Sequence, residues 1–506
     1  MVCLTLAAGV SRAEDAPSTA PKKLNRTEWS LTAIIDQELA RQWQSLGVEP
    51  SPVADDATFL RRVSLDLIGR IPTVAEARAY LNDQSPNKSG ALVDRLMASP
   101  EHARHMAVLW RRAWIPQTET PQFSRLADDY ERWLAREIRR GVGFDQLVAQ
   151  QLMVPVSKML IPVDADAFHT ASPAFLAVAE LEPVQLAANA ARAFLGVNLD
   201  CAQCHDHPFA HWSREEFWQT AAFFARPKLE HESAFLRIAV GDSQQMVAAR
   251  FPGGGSPILP QKLDVETGRR LLAEWIIAPE NPFFARNLAN RSWAMLLGAG
   301  LVEPLDDLSE ANSHPHATLL DALAKELVHA RFQLRPILRA IVLSRAYQGE
   351  SRAVDGVRYL LDSSFATMPM RGLSGDQLYD SIVTAAGLPV RADSRQRRQF
   401  TEDFRIDQVT EARRSLVQSL LLMNGELTAE ATNAERGPTL QAIADAPFLN
   451  SDDQVETLYL ATLTRRPSET ERETVRHYLE RIENPRVGLS DLLWAMLNSV
   501  EFNTNH

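Results

Sequence analysis

Two cysteines and three histidines fall within eleven residues, Cys201-Ala202-Gln203-Cys204-His205-Asp206-His207-Pro208-Phe209-Ala210-His211, in a 506-residue chain that holds only 3 cysteines and 12 histidines. The spacing C-x-x-C-H is that of covalent haem c attachment. Cysteines at i and i+3 of a short helical turn project to one side, where each can add to a haem vinyl group. The imidazole of the next residue is then placed under the ring as proximal iron ligand. Scattered at random, two cysteines and a dozen histidines would give this pattern about once in ten thousand chains of this length.

Two other chemistries use the same residues. Cys201 and Cys204 with His207 or His211 have ligand spacing acceptable for zinc or iron. In an oxidising compartment the two thiols could instead close a small local disulfide. Thiol–disulfide exchange fits less well, because its C-x-x-C follows a strand and opens a helix in a βαβ unit, a setting this sequence lacks. Under the haem reading, Asp206 and His207 are the neighbours that orient and tune the His205 ligand. His205 could also cap helix-end carbonyls or bond Asp206. His207 and His211 are too close to His205 to reach the far side of a ring it holds, so a sixth ligand would come from elsewhere. Met153, Met246, His169 and His231 are candidates, and an open sixth position would suit a small molecule or peroxide.

Other catalytic signatures are missing: no G-x-S-x-G, no G-x-x-x-x-G-K and no H-E-x-x-H occurs. Gly298-Ala299-Gly300 lacks a third glycine and a preceding strand. Asp164 and Asp166 mimic the start of a calcium loop without its glycine and read as a solvated acidic turn. Glu303, Asp306 and Asp307 could form an acid/base pair, but the chain has 64 acidic residues from which to draw one. The Arg391, Arg395, Arg397, Arg398 cluster reads as a solvated loop and not a phosphate site. No residue is assigned a catalytic role. Haem- or metal-dependent oxidation of an exported substrate stays open beside simple electron transfer.

The elements that must position this segment read as mainly α. Thr73 with Glu76 forms a capping box, and Ser99 before Pro100 opens a helix carrying Met106, Leu109, Trp110, Ala113 and Trp114 until Pro116. A helix from about Val184 to Leu195, closed by Gly196, leads into the cysteine segment. Ser213 with Glu216 caps the next helix, which carries Phe217, Ala221 and Phe224. From Arg226 to about Leu263 the helical period is lost, with Phe251-Pro252-Gly253-Gly254-Gly255 as the boundary signal. Further helices are expected from Asn281 to about Gly298, His316 to Ala330, Leu334 to Tyr347 and Val455 to Thr464, then after Ser468, and again around Leu492–Leu497. The expected fold is therefore two large helical domains, residues 28–226 and 264–506, joined by an irregular Pro/Gly-containing linker at 227–263.

Composition narrows the setting. Apolar residues are 45% and charged residues 23%, with a mean hydropathy of -0.20, which describes a soluble globular protein. The net charge of -11 gives no global attraction to nucleic acid or anionic lipid. Met1 to Ala13 is apolar and ends in small residues, resembling the second half of a secretory signal without its positive start. Cleavage there would remove Cys3, leave Cys201 and Cys204 as the mature cysteines and place the protein in the periplasm or outside. No later apolar run approaches the roughly 18 residues of a membrane span.

Several segments together resemble a known pair: the planctomycetal cytochrome-related domain of unknown function followed by its companion carboxy-terminal planctomycetal domain. In the first half the resemblance rests on Phe59-Leu60-Arg61-Arg62 with Leu65-Asp66-Leu67-Ile68-Gly69 and Ile71-Pro72-Thr73, on Leu92-Val93-Asp94-Arg95-Leu96 with Ser99-Pro100, and on Phe194-Leu195-Gly196 through the cysteine segment to Phe217-Trp218 and Ala221–Phe224. In the second it rests on Asn281–Arg286, Asn290-Arg291, Gly300-Leu301-Val302, His314-Pro315, Ser344-Arg345-Ala346-Tyr347, Leu422–Gly425 and the terminal Asn498-Ser499 with Glu501-Phe502. The resemblance implies an exported protein related to c-type cytochromes through its C-x-x-C-H, without an established activity; the haem reading adds the expectation of a redox partner protein. Glu14 to about Leu31 leaves no room for the separate cytochrome domain that many relatives carry. The resemblance therefore puts any haem at Cys201, Cys204 and His205. A helical binding or scaffold protein, with the cysteine segment as a structural metal site or disulfide, is the competing expectation.

Overall fold

The computed structural model describes residues 30–154, 172–206, 211–225, 236–241, 243–253, 264–309, 313–352, 364–389, 395–405 and 414–506. The expected leader with Cys3, and Asp164, Asp166, His169, His207, His231, Arg391 and most of 227–263, lie outside the described residues. The fold is mainly α, and Leu31–His506 form one compact unit. Among the described residues, strands occur as three two-stranded pairs: Arg237–Ala239 antiparallel to Met246–Ala248, Ser351–Arg352 parallel to Met368–Pro369, and Arg371–Gly372 antiparallel to Thr504–Asn505.

Local signals set the helix ends. Thr73 with Glu76, Ser213 with Glu216 and Ser468 with Glu471 all make reciprocal capping boxes, and Ser99 accepts from the His102 N–H to start Pro100–Trp114. Arg335–Val342 ends five residues short of the expected Tyr347, because from Leu343 the backbone leaves the helix and the Arg345 N–H turns to the Asp36 carboxylate at 2.8 Å. The short hairpin of Arg237–Ala239 and Met246–Ala248 interrupts a stretch expected to be irregular throughout.

Helix Asp56–Ile68 explains how distant parts of the chain come together. Asp55 caps it by accepting from the Thr58 N–H at 2.8 Å, and Gly69, at φ 74°, closes it. Its residues Phe59 through Ile68 are all buried. Two apolar cores meet across it. Phe59, Leu60, Val63, Leu67 and Ile68 enter one core, which also takes Trp110, Trp114, Leu288, Leu338 and Leu460. Leu65 enters the other, with Leu378, Leu458, Leu493 and Phe502. The cores thus do not divide at the 227–263 stretch.

A helix buried all round would ordinarily be apolar all round, yet this one carries Arg61, Arg62 and Asp66, and buried charges need partners. Arg61 donates to the carbonyls of Thr462, Glu501 and Phe502 at 3.0, 3.2 and 2.7 Å. Arg62 donates to the carbonyls of Tyr347, Gly349 and His506 and to the Ser351 hydroxyl. Asp66 accepts from Arg371 at 2.8 and 3.0 Å, from the Tyr347 hydroxyl at 2.7 Å and from Asn505 at 2.8 Å. Sequence motifs from opposite ends of the chain therefore meet at one helix, where their work is structural.

A second charged cluster corrects the reading of the arginine run. Arg395–Asp403 is helical and not a solvated loop. Arg397 pairs with Asp376 and Asp380, each at 2.9 Å, and Arg112 reaches Asp376 at 2.5 Å. Asp376 is buried, and the Arg112 and Arg397 charges outweigh the burial penalty and hold its carboxyl well below the usual carboxylate range.

Candidate functional site

The cysteine segment follows an approach fixed by a π turn and a left-handed glycine. Helix Pro183–Ala190 widens into a π turn, Ala191–Leu195, which ends at Gly196 with φ 66°. Glycine suits this left-handed position, and a Cβ there would lie 2.8 Å from the Asn287 side-chain oxygen. Helix Phe284–Leu297 holds the turn from outside: Asn287 donates to the Ala193 carbonyl at 2.9 Å and Arg291 to the Arg192 carbonyl at 3.0 Å. Burial lowers the Arg291 guanidinium to about 10.

Both ends of the segment are fastened to the same short stretch. On the entry side, the Leu308 N–H donates to the Gly196 carbonyl at 2.8 Å. On the exit side, the buried Trp212 indole donates to the Ser309 hydroxyl at 2.9 Å. Between these anchors a one-turn 3-10 helix, Asp200–Gln203, buries Ala202 and leaves Cys201 and Cys204 exposed as free thiols. Helix Arg214–Ala221 supports it from below. The Trp218 indole donates to the Gln203 carbonyl at 3.1 Å, and the Arg214 N–H donates to the Asp206 carboxylate at 2.8 Å.

His205 is exposed, and its Nδ1 lies 2.8 Å from the Asp206 carbonyl oxygen. The carbonyl can only accept, so Nδ1 is the donor in this contact and Nε2 is the nitrogen left facing away from it. Asp206 therefore meets His205 through its backbone, while its carboxylate anchors the following helix. Asp200, next to Cys201, is raised by burial, opposed by Arg192 at 3.7 Å and raised further by Asp306. Burial likewise raises Glu303, whose carboxylate accepts from the Gly300 N–H at 2.5 Å, and Asp307 accepts from the Ser309 N–H. These acids serve the turn that leads to the Leu308–Ser309 anchor.

The remaining candidates are dispersed. His211 is exposed with its ring 4.6 Å from that of Trp212. Met153 follows helix Phe144–Leu152 and is 39% exposed; Met246, 50% exposed, lies on the hairpin that packs against Arg214–Ala221. Among the described residues no three His, Cys, Asp or Glu side chains converge on a site able to hold a metal ion. Among them, too, no helix is long and apolar enough to cross a membrane.

Comparison with known families covers both halves. Residues 34–228 match PSCyt2, a protein of unknown function (DUF1549), and residues 268–417 match PSD1, a protein of unknown function (DUF1553), in that order. The chain belongs to this planctomycetal pair. Among curated proteins and among solved structures, nothing matches it. The cysteine segment lies within the PSCyt2 region, but the residues that clamp it, Asn287, Arg291, Leu308 and Ser309, all lie in the PSD1 region. Sequence reading finds the segment and the Gly196 stop. It misses the clamp, since the contacts span roughly a hundred residues and no local pattern announces them. Trp218 stands out in the sequence only within the Phe217-Trp218 pair of the family resemblance, with nothing to mark its bond to the Gln203 carbonyl.

Proposed function

We propose that the protein carries a haem c bound through Cys201 and Cys204, with His205 as iron ligand, and that it works in electron transfer or another redox reaction with a partner protein outside the cytoplasm. The observation that carries this reading is the state of the three side chains. Two free thiols stand on one turn, and the next residue's imidazole has Nδ1 occupied by the Asp206 carbonyl, which leaves Nε2 for a metal. The name PSCyt2 and the apolar leader Met1–Ala13 support the same reading. A haem there would supply reversible one-electron chemistry at iron.

The chain's own residues have separable tasks. Cys201 and Cys204 would form the thioether bonds, each thiol adding across a vinyl group so that sulfur bonds to carbon and the proton ends on the neighbouring carbon. Asp206 holds the His205 ring by its carbonyl and ties the segment to helix Arg214–Ala221 by its carboxylate. Trp218 and the Leu308–Ser309 anchor keep the turn in place while the thiols react. The test is Cys201→Ser in a host with c-type maturation machinery. Loss of covalent haem with retained helical content supports the assignment. Unchanged haem content refutes it, and a haem-free wild type containing zinc or iron establishes the metal site of Cys201, Cys204, His207 and His211 in its place.

A further inference from the structure

Helix Leu416–Asn424 turns its apolar side chains the wrong way for a monomer. Leu416 is 76% exposed, Val417 65%, Leu420 50%, Leu421 40% and Met423 40%, while Leu422 alone is buried, in the second core. At about 100° per residue the five exposed side chains occupy one arc of roughly 160° whose centre lies opposite Leu422. The usual arrangement puts the apolar stripe inward.

The helix is not a frayed end. Ser415 and Gln418 form a capping box. Arg414 donates to the Asn503 side chain at 3.1 Å and the Leu373 carbonyl at 3.0 Å, and Gln418 to the carbonyls of Asp403 and Arg405 at 3.2 and 3.0 Å. At the other end the Trp494 indole donates to the Met423 carbonyl at 3.1 Å, so this half-exposed ring extends the patch. The stripe is held outward by the fold.

Area and charge indicate what covers it. The fractional exposures of these six side chains amount to on the order of 550 Å², at the top of the range of about 300–600 Å² for the largest patch on a monomer. Wholly covered by an identical patch, it would remove up to about 1,100 Å² from water, which reaches the roughly 1,000 Å² expected of a specific interface. The helix, LVQSLLLMN, has no charged residue, and an uncharged apolar stripe complements itself, as a two-fold contact requires. It offers no lysine or arginine to lipid headgroups, and the net charge of -11 disfavours an anionic membrane. We propose that Leu416–Asn424 is the centre of a two-fold interface between two copies of this chain.

Light scattering on the full chain across a hundredfold concentration range tests this. The wild type should move from monomer to dimer mass, and Leu420→Glu should weaken association about tenfold or more with unchanged helical content. Leu416→Glu, at the most exposed position, gives the same readout where folding is not at stake. A monomer at every concentration overturns the proposal, and so does a dimer indifferent to both substitutions. A wild type that stays monomeric but floats with vesicles of phosphatidylglycerol and phosphatidylcholine also overturns it, in favour of a membrane.

Discussion

Replacing Asp66 with Asn removes one charge from the point where the two cores meet and keeps the side chain's shape. Asp66 and Arg371 are 3% and 5% exposed as side chains, and four donor contacts converge on the two carboxylate oxygens. All are donors, so the geometry calls for an ionised carboxylate, and an amide must turn its N–H groups toward Arg371 in either orientation, together with Asn505 in one and the Tyr347 hydroxyl in the other. Either way a buried guanidinium loses its counter-charge. Removing one partner of a buried pair costs about 3–5 kcal/mol, against a total stability of about 5–15 kcal/mol. Asp94→Asn is the control. Asp94 pairs with Arg339 at 3.0 Å, but the two side chains are 44% and 39% exposed, so its loss should cost no more than about 1 kcal/mol. Urea unfolding followed by far-UV circular dichroism reads both as midpoint shifts. The double variant Asp66→Asn with Arg371→Leu should lose less than the two single changes added, because neither charge is then left alone. Equal midpoints for Asp66→Asn and Asp94→Asn would refute the claim that this buried cluster fastens the C-terminus and the Tyr347 segment to the central helix.

Three further outcomes follow from single sites. Gly196→Ala should cost about 2 kcal/mol, from the left-handed backbone and the close approach to Asn287, and an unchanged urea midpoint would show that the π-turn exit is not constrained. Burial, helped by the neighbouring His102 charge, holds His105 down to about 3. The unfolded chain therefore takes up the proton first, and stability present above pH 6.5 is lost as pH falls toward 3, about 2 kcal/mol of it by pH 5; His105→Gln should flatten that slope in midpoints measured from pH 7 to 5. Hydrogen bonds from Arg465 hold Glu471 down to about 2. Its contribution is present above pH 4.5 and fades between 4.5 and 2, and since the pair is about a third exposed, Glu471→Gln should cost at most about 1 kcal/mol at pH 7 and nothing at pH 2.

What the residues disclosed in advance was local. Thr73 with Glu76, Ser213 with Glu216 and Ser468 with Glu471 announce helix starts because cap and partner lie three positions apart. The thiols and His205 stand out for the same reason. Arg397 was legible only as one arginine in a polar run, because Asp376 and Asp380 are brought to it by tertiary packing. Strands of three residues, such as Arg237–Ala239, are too short for alternation to show. Helix Leu416–Asn424 was not among the expected helices, and apolar residues in a row do not say which side of a helix faces solvent. The clamp on the cysteine segment was hidden for a similar reason: Gly196 meets Leu308, and Trp212 meets Ser309, across about a hundred residues.

Whether Cys201 and Cys204 hold a haem decides the proposed function. Intact mass of the exported protein, with haem staining of the same sample on a denaturing gel, decides it most directly. One covalently bound haem per chain is expected, absent in Cys201→Ser. A wild-type mass equal to the bare polypeptide, from cells that attach haem to a control cytochrome c, would contradict it.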